Sequence, residues 1–138
     1  MKGIRDIATK EDVVAMVDRF YAKVNQDALL APIFNDFSKV DWQEHLPKMY
    51  RFWNTLIFGN RSYKGHPFAA HIPLPISKSH FDRWVSLFEE NMDELFLGEV
   101  AEHTKRRARS IAHIFESKLY HMQSINLKPM TKQDIPKK

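Results

Sequence analysis

At 138 residues the chain is one domain, long enough to bury roughly two-thirds of its unfolded surface. It has no cysteine, which excludes disulfide frameworks, thiolate metal sites and cysteine nucleophiles. The net charge of +4 comes partly from the run KRRAR at 105–109 and partly from KPMTKQDIPKK at the end, and such modest basicity admits nucleic acid as a partner without arguing for it.

The start, MKGIRDIATKED, holds no signal-type apolar segment, and no stretch approaches the ~18 apolar residues of a membrane span. A soluble cytoplasmic protein without a membrane partner is expected. Ten Phe, three Trp and four Tyr against four Gly favour long helices, and the absence of Asn-Gly, Asp-Gly and sustained alternation argues against a sheet.

A first helix is predicted from Thr9, which with Asp12 forms a capping box. Val13, Met16, Val17, Phe20, Tyr21 and Val24 then recur at helical spacing. Tyr21 falls on the apolar face, and a buried phenol needs a partner, either a backbone carbonyl or a ligand. QDALLAPIFNDF at 26–37 reads as short helical turns broken near Pro32.

Asp41, with Glu44 at the capping-box position, opens a helix to Phe58 that Gly59 ends. Its apolar face carries Trp42, His45, Leu46, Met49, Phe52, Trp53, Leu56 and Ile57, and Pro47 inside it should bend it. A histidine on such a face is ordinarily a hydrogen-bonded core residue.

YKGHPFAAHIPLPISKSHFDRW follows. His71 ends a short apolar run, and Pro73 and Pro75 stop any helix there. Ser79, with Asp82 three residues on, is the predicted cap of a helix from about His80 to Leu97, ended by Gly98. A last helix, about Glu99 to His121, carries the stripe Val100, Thr104, Arg107, Ala108, Ile111, Ile114, Phe115 and Leu119. KRRAR is expected on its solvated face. The predicted organisation is a domain over 1–122 and a flexible basic tail over 123–138. The fold class is all-α.

Tyr21, His45, His71 and Trp84 are polar-tipped residues on the apolar sides of different elements, and each must find a hydrogen-bond partner if buried. A haem would supply the reason. Its iron takes a neutral imidazole on one face, while a phenol, an indole and a second imidazole can donate to a diatomic ligand on the other. Phe34, Phe52, Phe68, Phe81 and Phe88 would then line the porphyrin, or else are simply core. HExxH, Gly-rich phosphate loops and Gly-x-Ser-x-Gly are absent.

FYAKV at 20–24, LLAPIF at 29–34, WQEHLPKMYRFW at 42–53, YKGHPFAAH at 63–71 and HFDRWVSLF at 80–88 together resemble the truncated haemoglobins. The first two groups of that family carry Gly-Gly motifs that this chain lacks, and its His45 and Trp84 make it similar to group III. The resemblance implies a two-over-two helical sandwich around haem b (iron protoporphyrin IX), with His71 as the iron ligand. It places Tyr21, His45 and Trp84 at the bound ligand, Phe34 on the haem, and Met49 and Phe52 along the distal wall. Lys48, then Tyr63 and Arg51, are candidate propionate partners.

The implied ligands are oxygen, nitric oxide and carbon monoxide. Two donors on bound oxygen favour redox chemistry, either nitric oxide dioxygenation or peroxidase-like turnover, over carriage. With no flavin or nicotinamide domain, the chain would need a separate electron donor or reductase. Oxygen storage or sensing without turnover, and a basic helical nucleic-acid module, are the alternatives. A monomer is expected.

Overall fold

The computed structural model describes residues 4–59 and 76–127, so His71, Tyr63 and Phe68 lie outside the described residues. Among the described residues there are four α-helices and no strand: α1 Lys10–Gln26, α2 Trp42–Phe58, α3 Lys78–Leu95 and α4 Glu99–Leu127.

α1 starts as its capping box predicts. Asp12 N–H donates to Thr9 Oγ1 at 3.2 Å, and Thr9 N–H donates back to Asp12 Oδ2 at 3.0 Å. The same carboxylate accepts both arms of the Arg5 guanidinium, at 2.7 and 2.9 Å, and the Ala8 N–H at 2.8 Å. One buried aspartate thus ties the N-terminal arm to the helix it caps.

Beyond α1, Asp27 accepts the Leu29 and Leu30 N–H groups and the Arg83 side chain of α3 at 2.6 Å. The predicted helical turns near Pro32 form a wide π-type turn over Ile33–Phe37, closed by Ser38 N–H on the Ile33 carbonyl at 2.9 Å. Asp41 caps α2 by accepting the Gln43 N–H at 3.1 Å. Glu44, expected in a capping box, instead pairs with Lys48 one turn on at 3.3 Å. Pro47 lies inside α2, and Gly59, in the left-handed region at φ 75°, ends it as predicted.

The α3 cap is Ser77 and not Ser79. His80 Nδ1 reaches back to accept the Ser77 N–H at 3.0 Å, and the helix starts two residues earlier than expected. Acid three residues on from Ser79 suggested the later start, but a histidine serves the reciprocal role from Ser77. α3 ends at Leu95, and Phe96 leaves it extended, bridging to Arg5. Gly98 therefore does not end α3. It sits at φ 152°, where a Cβ would lie 2.3 Å from Asp6 Cγ. That clearance lets Asp6 cap α4, accepting the Val100 and Ala101 N–H groups at 2.9 and 2.8 Å.

α4 continues past the expected end at His121 to Leu127, so loss of apolar periodicity at Gln123 does not end the helix. Its buried face is Ala101, Thr104, Lys105, Ala108, Ala112 and Leu119, whereas Arg107 and Ile114 are exposed. KRRAR is accordingly not one solvated face. Lys105 is buried against Asp93 (2.6 Å) and Glu102 (2.8 Å), Ala108 is core, and Arg109 pairs with Glu89.

α1 packs on α2, α3 on α4, and α1 joins the pairs through α3. The interior falls into two apolar clusters. The larger contains Val13, Met16, Phe20, Tyr21, Trp53, Phe88 and Met92; the smaller contains Ile33, Ile76, Phe81, Ala112 and Leu119. Phe34 and Trp84 pack against both.

Candidate haem-facing site

Apolar spacing on α1 turns Tyr21 inward, to 6% exposure. Burial pushes its phenol far above the ordinary value, so it remains a protonated donor at any physiological pH. α2 brings His45 to it, with the two rings edge to face at 5.5 Å and His45 Nε2 shut off from solvent. Phe34, delivered by the wide turn, lies 5.7 Å from Tyr21 and 6.3 Å from His45.

The nest is completed by Trp42, which the sequence placed on the same face as His45 without a role at the site. It stacks on Phe34 at 5.7 Å and meets Tyr21 and His45 at 5.4 and 5.5 Å. Its Nε1–H donates to Asn35 Oδ1 at 2.9 Å, which fixes the indole between the turn and α2. The spacing from Trp42 to His45, three residues on one helix face, is the signal that identifies it.

Trp84 is half-buried on α3 and reaches this nest through Phe20. Phe20 meets Tyr21 at 5.0 Å and Trp84 at 5.4 Å. Met49 and Phe52 are half-buried and pack against the larger cluster, while Lys48 is exposed beside Glu44. Phe81 belongs to the smaller cluster, and Phe88 is core within the larger, stacked between Trp53 and Trp84. The structure thus brings together Tyr21, His45 and Phe34 and links Trp84 to them. His71 lies outside the described residues.

The donor set suits a haem better than a metal held by the chain alone. A phenol and an imidazole sit among aromatic rings, and among the described residues no group of three His, Cys, Asp or Glu could hold a metal ion. No described helix is long and apolar enough to cross a membrane.

Comparison with known proteins agrees. The family model of the bacterial-like globins matches residues 5–121. The chain is 34% identical over 115 residues to the group 3 truncated hemoglobin ctb of Campylobacter jejuni, covering 80% of this chain and 91% of that one. The crystal structure of the group III truncated hemoglobin from Campylobacter jejuni superposes with TM-score 0.78 at 32% identity, over 86% of this chain and 96% of that one. A truncated oxygen-avid haemoglobin from Bacillus subtilis gives 0.69 at 31% identity, over 78% and 92%. The globin pairing of α1 with α2 and of α3 with α4, the family model and the group III relative converge: the chain is a bacterial-like globin, a truncated haemoglobin of group III.

Proposed function

We propose that this chain binds haem b through His71 and uses Tyr21, His45 and Trp84 to hold oxygen, nitric oxide or another diatomic ligand for redox chemistry. Globin membership implies the haem. The observation that carries the distal assignment is the convergence of Tyr21 and His45, from two helices, inside an apolar nest.

When bound, haem supplies the iron that holds the ligand and exchanges electrons with it. Tyr21 contributes a hydroxyl that burial keeps protonated, and so donates to a ligand gaining negative charge. His45 offers a second donor or acceptor beside it, according to its tautomer. Trp84 adds an indole N–H from α3. Phe34 and Trp42 exclude water and strengthen each of these hydrogen bonds by lowering the local dielectric. Phe34, Met49 and Phe52 are the proposed haem contacts, with Lys48 at a propionate.

A hydrogen bond to a charged group contributes ~1.5–3 kcal/mol, so each donor slows oxygen release by roughly ten- to a hundredfold. A site with two such donors suits turnover, nitric oxide dioxygenation or peroxidase-like, better than carriage. An external electron donor would return the iron to its ferrous state. The nucleic-acid reading loses support because Lys105 and Arg109 of KRRAR are spent in ion pairs within the fold.

Purified protein mixed with haemin is expected to give a Soret band, and His71→Ala to lose normal axial coordination. Tyr21→Phe and Trp84→Phe should each release oxygen about ten- to a hundredfold faster in stopped flow. Unchanged rates in both would remove the distal-donor assignment.

A further inference from the structure

Behind Trp84 the aromatic contacts continue away from the ligand nest. Trp84 stacks on Phe88 at 5.4 Å and 16°, and Phe88 stacks on Trp53 of α2 at 5.0 Å and 26°. Trp53 is 2% exposed. One helical turn before it on the same face stands Tyr50, half-buried against the larger cluster. The Tyr50 hydroxyl donates to Asp18 Oδ1 at 2.5 Å, and Asp18 is exposed on α1.

We propose that Trp84, Trp53 and Tyr50 form an electron path from the haem site to the surface, with Tyr50 the terminal donor and Asp18 its proton acceptor. Electron tunnelling decays steeply with distance, so short steps between oxidisable rings outrun one long jump. Tyrosine loses an electron at accessible potentials only when its proton leaves too. A carboxylate already accepting the phenol's hydrogen bond meets this requirement; a neutral amide in its place would not. Burial and then the Asp18 carboxylate raise Tyr50 to about 12, so it is protonated until it is oxidised.

The proposal rests on the haem reading and on its peroxidase-like branch. Hydrogen peroxide is the oxidant. Its O–O bond breaks as it takes up two electrons and, from the solvent, two protons, giving two water molecules. Haem, when bound, would supply one of these electrons from its iron. Tyr50 gives the other through Trp53 and Trp84, and its proton passes to Asp18. The resulting tyrosyl radical is neutral and lies near the surface, where a one-electron reductant such as ascorbate restores it. Tyr50 therefore doubles as the entry point for electrons from a small or protein donor.

The test is freeze-quench EPR of the haem-loaded full chain after peroxide, paired with spin trapping and peptide mass spectrometry. A tyrosyl signal is expected in the unsubstituted chain, with the trapped adduct on Tyr50. Tyr50→Phe, which keeps the ring packing, should lose that signal, and Asp18→Asn should reduce its yield. Both variants should retain the Soret band and react with peroxide at the original rate, because neither residue touches the ligand. A signal undiminished in Tyr50→Phe, or an adduct on Tyr21 alone, would overturn the path and leave haem binding intact. A chain with no Soret band, or one whose Soret band ignores peroxide, would overturn the functional reading and the path with it.

Discussion

Single carboxylates do much of the local work. Asp12 holds Arg5, Ala8 and Thr9 together, and its side chain is only 11% exposed. The Arg5 hydrogen bond foremost, opposed by burial and aided by the two backbone N–H groups, lowers it from 3.8 to about 2. A depressed carboxylate stabilises the fold above its unfolded value and loses that contribution as pH falls. Stability should therefore drop by about 2 kcal/mol between about pH 4 and pH 2, from this group alone. Urea melts at pH 5 and pH 2.5 check it: Asp12→Asn should be less stable than the unsubstituted chain at pH 5, with much of that gap closed at pH 2.5. Tyr50 works in the opposite direction. Raised to about 12, it stabilises the fold fully below about pH 10 and loses that contribution as pH climbs through 12.

Element boundaries depend on such contacts as much as on propensity. The Thr9 box and the Gly59 stop were legible because their partners lie within a few residues of one another. The α4 start at Glu99 was legible too, but its cap was not, because that cap is Asp6, distant in sequence and brought there by the Arg5–Phe96 bridge. Two glycines separate these cases. Gly59→Ala places a Cβ in open space at φ 75° and should cost about 1–2 kcal/mol of backbone strain. Gly98→Ala adds the displacement of Asp6 and the loss of its cap, and should cost about 2–4 kcal/mol. Equal denaturation midpoints for the two variants would refute this ranking. At α3, Ser77→Ala should cost about 1 kcal/mol and Ser79→Ala almost nothing, since Ser77 bears the cap.

At the scale of the molecule, the two apolar clusters meet at Phe34 and Trp84. A ligand bound only by the native state adds about 2.7 kcal/mol at a hundredfold excess over its dissociation constant. Haemin should raise the melting temperature of the unsubstituted chain, and raise that of His71→Ala much less, in calorimetric scans. Equal shifts would mean that haem is held without His71.

The all-α class, the extents of α1 and α2 and the inward turn of Tyr21 and His45 follow from the sequence alone, because helical periodicity and caps act over a few residues. That Tyr21 and His45 meet, that Trp42 closes the nest and Trp84 joins it through Phe20, required the tertiary structure. So did the withdrawal of Lys105 from the basic run into ion pairs. Those outcomes depend on which helix faces which, and no local pattern encodes the packing of residues so far apart along the chain.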